Sequence, residues 1–463
     1  MPLTGVTDGR RGVIFLNLVV ICCATAMMST ALTTALPSIS AAFDISDSLT
    51  QWLTSGYMLT MGILTPASAF FVKRFPTKKL YLATVLLFTV GMAVDVIAPN
   101  FYTLMAGRIM QAAANGILMS LAQVVLMTIY PKDRHGQILG WYGLSMTAAP
   151  IVSPAVAGIM INVFGWRGAF YIPLLIAAAS LAITLFSMVD VIDVRKLPFD
   201  MLSFVTCAMM FGGLTLGVSS ITTYGLASPI TYVPIVFGVA GAAVFIRRQL
   251  GMDKPFLELR LFKTRQFSLS IVCSMLYYSM MMSYSVLMPV CYQKCFGYDP
   301  AMSGIFLMPS AMLCSFMSPV AGRMYDRHGI KAVMLPVMVC CLVATSGLSF
   351  VNVDMNVVLA VTLGSVIGIS GCLIMPMSAW CVNSVGSEHR ADATALINSL
   401  RTVSGALGIA MLMGVVTSIA GDRAPVDAAT MDGMNVAFLI MTAIIVAIIV
   451  LALFARSGDK ARA

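Results

Sequence analysis

Long apolar runs separated by short polar connections make up almost the whole of this chain. Fourteen runs are each long enough for a helix that crosses the hydrocarbon core of a bilayer, which takes about 20 residues. The pattern therefore predicts an all-α polytopic membrane protein. The predicted spans are Val13–Leu36, Trp52–Phe71, Leu80–Ala98, Tyr102–Ile129, Ile138–Val163, Ala169–Val189, Leu202–Thr222, Ile230–Ile246, Phe267–Val290, Ala301–Val320, Ala332–Val351, Met355–Val382, Ala393–Ile419 and Asn435–Phe454.

Lys and Arg fall almost entirely in alternate connections between these spans. One set of connections, both termini included, holds 23 of the 28 basic residues, and the opposite set holds three. Cytoplasmic loops carry the Lys and Arg excess, so both termini are predicted to be cytoplasmic and the number of spans even. We therefore expect a multi-pass protein of the inner (cytoplasmic) membrane.

Composition excludes several functional classes. Hydrophobic residues are 59% of the chain and charged residues 10%, which is too little charge for a water-facing surface. The net charge of +9 follows from the loop pattern and from attraction to anionic lipids, so we expect no nucleic-acid partner. No phosphate-binding loop ending in Gly-Lys-Ser/Thr is present, and no cluster of catalytic or metal-binding side chains stands out. We expect a monomer in the lipid bilayer, without enzyme activity, cofactor or metal.

The longest polar break lies just past the middle of the chain, in "KPFLELRLFKTRQF" (Lys254 to Phe267). Two basic connections carry similar strings, "VKRFPTKK" (Val72 to Lys79) and "GRMYDRHGIK" (Gly322 to Lys331), which superpose with Lys73 opposite Asp326. Such internal similarity is typical of a duplicated transporter. The expected domains are an N-terminal six-helix bundle (1–190), two inserted helices with a central cytoplasmic linker (191–265), and a C-terminal six-helix bundle (266–463).

The string "GRMYDRHGIK" resembles the loop motif of the major facilitator superfamily. "LMAGRIMQAAANG", with Arg108 and Gln111, and "APIVSPAVAG", with Pro150, Pro154 and Gly158, resemble spans four and five of its fourteen-span drug:proton antiporter branch. The resemblance covers nearly the whole chain. It implies a major facilitator fold and a secondary transporter that exports hydrophobic or drug-like compounds by alternating access, in exchange for protons.

Two departures from the family pattern keep a second function open. The branch usually has an Asp in span one at the position of Met28, so no coupling carboxylate can be assigned there. In the first-half loop motif, Ala69 stands in place of Gly and Lys73 in place of Asp. The alternative is an uncoupled or differently coupled permease for one specific metabolite.

Three ionisable residues lie inside predicted spans, where a charge is expensive and therefore a functional candidate. Asp95 and Arg108 lie in spans three and four, which form a tight hairpin, so they are expected at similar depth and able to pair. Either the pair only neutralises two buried charges, or protonation of Asp95 frees Arg108 during transport. Arg401, near the middle of span thirteen, has no acidic neighbour in its span. It must face a polar cavity, a carbonyl cluster or an anionic substrate group.

Polar amides and adaptable side chains inside spans are the candidates for a substrate cavity, with ordinary packing as the alternative for the aromatic and Met group. These candidates are Asn17, Gln111, Asn115, Tyr277, Tyr278, Met281, Tyr284 and Asn398. In span five, Pro150, Pro154 and Gly158 are expected to allow a kink and close helix approach.

The basic loops are candidates for a gate, although their charges also suit a purely topological role. Asp326 is expected to accept hydrogen bonds from a neighbouring helix N-terminus or an Arg, while Arg327 and Lys331 pair with the other bundle. Lys73 cannot make the acceptor contact, which predicts asymmetric gating. The gating residues are Gly322, Asp326, Arg327, Gly329, Lys331, Lys73 and Arg74.

Overall fold

The computed structural model describes residues 8–50, 52–192, 194, 200–225, 227–252, 255–298, 300–350, 352, 356–420 and 428–455. Lys254, at the start of the predicted linker, lies outside the described residues. Long helices account for most of the described chain, and no β-strand occurs in it. The long helices are α1 (Asp8–Phe43), α2 (Trp52–Arg74), α3 (Thr77–Ile97), α4 (Phe101–Ile129), α5 (His135–Phe164), α6 (Gly168–Ser187), α7 (Met201–Tyr224), α8 (Pro229–Gly251), α9 (Arg265–Val290), α10 (Pro300–His328), α11 (Ile330–Leu348), α12 (Val357–Asn383), α13 (Arg390–Ala420) and α14 (Ala428–Leu453).

These helices confirm the all-α membrane fold predicted from the apolar runs. Over the described residues, thirteen of them contain an apolar stretch long enough to cross a membrane. The remaining long helix is α5, in which the side chains at positions 151, 154 and 155 are not described. Large apolar side chains cover the outside, as in Phe186, which is 83% exposed. Such a surface suits lipid and not water.

Buried apolar side chains form two clusters, one centred on the first-half helices (α1–α6) and one on the second-half helices (α9–α14). In the first half, α1 packs on α5 and α6, and α4 on α2 and α3. In the second half, α13 packs on α9 and α14, and α10 on α12. The halves meet where α5 contacts α10 and where α2 contacts α13, while α7 and α8 pack mainly on each other.

We call the end of the molecule where α1 begins and α14 ends the basic face. It carries Lys73 at the end of α2, the start of α5 and the start of α13. The opposite face carries the α3–α4 turn at Asn100, whose side chain accepts the amide of Thr103 and so caps α4. The α12 helix is interrupted by a 3-10 turn at Ser370–Leu373.

Candidate functional site

A chain of buried polar groups joins α3 to α4 inside the first half. Asp95 and Arg108 are both fully buried, at 0% exposed. They form no direct ion pair, which corrects the expectation from the sequence, because the Gln111 side chain stands between them. Gln111 Nε2 donates to Asp95 Oδ2 (2.7 Å), and Arg108 Nη1 donates to Gln111 Oε1 (2.9 Å). The Gln111 amide thus links the Asp95 carboxylate to the Arg108 guanidinium through two hydrogen bonds.

Backbone carbonyls complete the surroundings of Arg108. Its Nη2 donates to the carbonyl of Met28 on α1 (3.3 Å), and its Nε to the carbonyl of Leu53 on α2 (3.4 Å). The guanidinium also lies over the ring of Tyr57, 4.2 Å from the ring centroid. At the position where the related branch has an acid, this chain therefore offers a peptide oxygen, and Asp95 supplies the carboxylate from α3.

Asp95 keeps one oxygen unused. Its Oδ1 is buried and has no hydrogen-bond partner in the described part of the chain. A Cβ on Gly107, on the facing side of α4, would fall on this carboxyl group, so glycine is needed there to leave room for it. A buried carboxyl oxygen without a donor is a place where a proton can bind.

The network continues toward the middle of α4. Asn115 is only half-buried, and its Nδ2 donates to Tyr57 Oη (2.9 Å). Tyr57 therefore touches both the guanidinium of Arg108 and the amide of Asn115. Sequence reasoning missed Tyr57, because an aromatic residue in an apolar run gives no sign of its partner.

Arg401 lies in the second half without a carboxylate beside it. Its Nη1 donates to Ser378 Oγ (2.6 Å) and its Nη2 to the carbonyl of Ile374 (3.1 Å), both on α12. Nη2 also lies 3.4 Å from Ser274 Oγ on α9. Hydroxyl and carbonyl oxygens therefore surround this charge, and no acid pairs with it in the described part of the chain.

Three of the predicted cavity residues make buried contacts between helices. Asn17 donates to Thr184 Oγ1 (2.9 Å) and accepts from Ser180 Oγ (2.7 Å), so its amide is used between α1 and α6. Tyr277 and Tyr284 are buried and donate to the carbonyls of Ser370 and Gly364, respectively. Both tyrosines thereby hold α9 against α12.

The other cavity candidates lie on α9 and α13. Tyr278 and Met281 are half-buried on α9. Asn398 on α13 donates to Gln123 Oε1 on α4, at 3.5 Å, and so reaches from one half to the other.

At the basic face, Asp326 joins the end of α10 to the start of α5. Its two carboxylate oxygens accept from the backbone amides of Gly136 and Gln137, each at 2.6 Å. This is the helix-N-terminus contact expected from the sequence, and its gating role stays a prediction. A Cβ on Gly322 would meet the Gly136 carbonyl, so the close approach requires glycine. Gly329 has φ +79°, and it alone separates α10 from α11, which makes the predicted loop mostly helix.

The end of α2 makes a different contact with the start of α13. Lys73 Nζ lies 2.7 Å from Asp392 Oδ1, and the two side chains are 10% and 2% exposed. Asp392 also accepts the backbone amide of Glu258 in the central linker (3.2 Å). The sequence indicated only that Lys73 cannot act as an acceptor, and Asp392 was missed as its partner.

The remaining gate candidates do not bridge the halves as expected. Lys331 donates to the carbonyl of Leu453 at the end of α14, within the second half (2.8 Å). Arg327 and Arg74 are exposed. Long basic side chains at a membrane surface are easily satisfied by water, which explains why neither needs a partner.

Helix α5 approaches α10 closely along its first half, where Thr147 Oγ1 lies 3.1 Å from Ser315 Oγ. A Cβ on Gly140 would meet the backbone of Ser318, whereas a Cβ on Gly158 would meet nothing within 4 Å. Close helix approach at Gly158 itself is therefore not seen among the described residues. Pro150 and Pro154 lie within the continuous α5, and the side chain of Pro154 is outside the described residues.

Comparisons with known proteins agree on one family. The Major Facilitator Superfamily profile matches residues 18–409. The chain is 34% identical to the uncharacterized MFS-type transporter YcnB of Bacillus subtilis, over 90% of this chain and 89% of that protein. It is 32% identical to the lincomycin resistance protein LmrB of Listeria monocytogenes, over 86% and 85%. The solved fucose:proton symporter FucP of E. coli has a TM-score of 0.66 at 12% identity, covering 96% of this chain and 98% of that one.

Proposed function

Because this chain belongs to the Major Facilitator Superfamily of multi-pass membrane transporters, we propose that it exports hydrophobic or drug-like compounds in exchange for protons. The family moves small molecules across membranes. The relatedness to proteins named for lincomycin resistance supports drugs as the substrate class. The membrane is the cytoplasmic one, with the basic face inside the cell, because Lys and Arg accumulate on that face.

The observation that carries proton coupling is the buried chain from Asp95 through Gln111 to Arg108. While Asp95 is ionised, its charge compensates Arg108 through the Gln111 amide. A proton on the unpartnered Oδ1 removes that charge and leaves Arg108 to seek other acceptors, which changes the packing of α4 against α1 and α2. Each proton that crosses 100 mV supplies about 2.3 kcal/mol, enough to sustain a useful gradient of an exported compound.

The helices are arranged, in this proposal, as two six-helix bundles with α7 and α8 inserted between them, as in the fourteen-span branch. Two apolar clusters, each centred on one half, support this division, and the first also extends onto α9, α12 and α13. The contacts of Asp326 and Lys73 close the basic face, while Gly158 near the opposite end of α5 faces open space. In this proposal, the closed basic face corresponds to an outward-facing state of an alternating-access cycle.

One observation favours a second function, a permease for one metabolite that is uncoupled or coupled differently. Met28 stands where the related branch has its span-one acid. Under this alternative, Asp95 only neutralises Arg108, and transport does not respond to a proton gradient.

Efflux from a pump-deficient bacterium separates the two functions. Cells that express the protein are loaded with fluorescent drug-like dyes, and efflux is followed with and without an uncoupler. Proton-coupled export predicts efflux that stops when the gradient collapses. Downhill transport that continues unchanged would favour the permease.

Asp95→Asn tests the carboxylate itself. Loss of uphill efflux with retention of downhill exchange is expected, because the amide keeps the side-chain volume but cannot bind the proton. Asp133→Asn, at an exposed surface position, is the matched control. Uphill efflux that survives in Asp95→Asn would remove Asp95 as the coupling group.

A further inference from the structure

The two arginines buried within the membrane are compensated very differently. Arg108 is connected to the Asp95 carboxylate through the Gln111 amide, and its guanidinium lies over the ring of Tyr57. Arg401 is 4% exposed and has only hydroxyl and carbonyl oxygens as partners. Dipoles of this kind offset the desolvation of a full charge only in part.

Among the described residues, the acids of the second half have other partners or are exposed. Asp392 begins the same helix nine residues earlier, about 13 Å along its axis, and is paired with Lys73. Asp326 accepts from the start of α5. Asp432 is exposed near the start of α14. No ion pair to Arg401 occurs among the described residues, which leaves this charge available to an acidic ligand.

Donors without acceptors gather at the same level. Arg401 Nε is buried and has no hydrogen-bond partner in the described part of the chain. One turn earlier on α13, Asn398 contacts Gln123 of α4, whose Nε2 is also buried and has no partner there. Asn398 and Arg401 lie about 12 and 16 Å along α13 from its start, so the Asn398 contact brings the Gln123 amide to within about one helical turn of Arg401 along that helix.

Side chains around Arg401 suit an acidic ligand. Ser274 accepts from Arg401 and donates to no acceptor among the described residues, so its hydroxyl proton is available. The half-buried Tyr278 lies beside Arg401, and a Cβ on Gly405 would be 3.1 Å from its ring. Gly405 therefore lets the aromatic ring lie against α13, one turn from the guanidinium. The ring offers an apolar surface next to the charged group.

From these contacts we propose that Arg401, with Ser274 and Gln123, forms a subsite for a carboxylate carried by the exported compound. A guanidinium matches the two oxygens of a carboxylate, and the flexible Arg side chain can exchange its Ser378 contact for the ligand. The preferred substrates are then amphipathic molecules with one acidic group and an aromatic or aliphatic body. This inference names the substrate class of the proposed function and rests on it.

Binding of a matched dye pair tests the subsite without any gradient. The purified full-length protein in detergent is titrated with rhodamine 19, which has a free carboxylate, and with rhodamine 6G, its ethyl ester, followed by fluorescence anisotropy. Arg401→Gln is expected to weaken rhodamine 19 by about tenfold or more, the size of one charge-assisted hydrogen-bond set, and to leave rhodamine 6G unchanged. Arg401→Lys should restore part of the difference, and Arg323→Gln, at an exposed position, should have no effect.

The outcomes separate this inference from the proposed export activity. Equal weakening of acid and ester, or none, would overturn the subsite, and the thermal unfolding temperature of each variant shows whether Arg401 is needed only for folding. Competition by acetate alone at the same concentration as the dye, or dye affinity that depends on added phosphatidylglycerol, would reassign the site to free anions or lipid headgroups. Transport that does not depend on protons but still prefers the acidic dye would contradict proton coupling and would still support the subsite.

Discussion

The two junctions at the basic face occupy matching places in the two halves but use different chemistry. At the end of α10, Asp326 accepts two backbone amides from the start of α5. At the end of α2, the matching residue is Lys73, which pairs with the Asp392 side chain in the first turn of α13. The two junctions therefore lie at matching places, while the charges at one of them are exchanged.

Each junction has a local reason for its chemistry. Gly322 allows α10 to come close enough for a short Asp side chain to reach backbone amides, and Ala69 stands at the matching place on α2. A longer Lys side chain reaches a side-chain oxygen instead. On α13 the first turn already contains Asp392, which suits the positive end of the helix dipole and attracts a cation from α2. Exchanging the sign of the charge at this junction therefore needs substitutions on both α2 and α13.

Charge reversal at Lys73 should have the largest effect on efflux, because it places two like charges at one junction. Lys73→Asp places a second carboxylate against the nearly buried Asp392, and an unpaired buried charge costs about 3 to 5 kcal/mol. We expect efflux from membrane vesicles to be lost. Hydrogen exchange measured by mass spectrometry should rise at the start of α13 and stay unchanged at the start of α5.

The double variant Lys73→Asp with Asp392→Lys controls for folding and local chemistry. It restores an ion pair with exchanged signs, although a Lys in the first turn of α13 opposes the helix dipole. Partial recovery of efflux is expected. Full efflux in the single variant would show that the pair does not hold the closed face.

The sequence predicted the helices and one junction better than it predicted the contacts inside the bundles. The length of an apolar run predicts a membrane span, and the motif around Asp326 indicates a hydrogen-bond acceptor near the start of a helix. The partner of Lys73 could not be found, because Asp392 lies 319 residues away in the chain. Likewise, the Gln111 bridge depends on which side chain fits between Asp95 and Arg108, which only packing decides.

Substitution of Gly322 at the α5–α10 junction should have the next largest effect on efflux. In Gly322→Ala the added methyl meets the Gly136 carbonyl, and overpacking of this kind costs about 1 to 3 kcal/mol. We expect slower efflux and faster exchange at the start of α5. Ala69→Gly is the matched change at the other junction, with a cost limited to about 1 kcal/mol of helix propensity. Equal effects of the two variants would mean that the junctions are equally close.

Removing the charge of Asp326 should have a moderate effect. Asp326→Asn keeps one acceptor oxygen but loses the second acceptor and the attraction to the helix dipole, together about 1 to 2 kcal/mol. Efflux is expected to slow several-fold, with faster exchange confined to the amides of Gly136 and Gln137. Faster exchange at α13 as well would show that the two junctions open as one unit.

His389 should contribute least, although it stands beside the exchanged junction. Its Nδ1 lies 3.8 Å from Asp392 Oδ2, its Nε2 lies 3.7 Å from Glu388, and its side chain is 32% exposed. Ion pairs open to water contribute about 0 to 1 kcal/mol, and Lys73 already neutralises Asp392. His389→Gln is therefore expected to leave efflux at pH 6 and pH 8 within about twofold of the unsubstituted protein, at equal proton gradient. A larger loss at pH 6 alone would mean that protonated His389, and not Lys73, holds Asp392 in place. The exchanged junction would then be a pH-dependent contact.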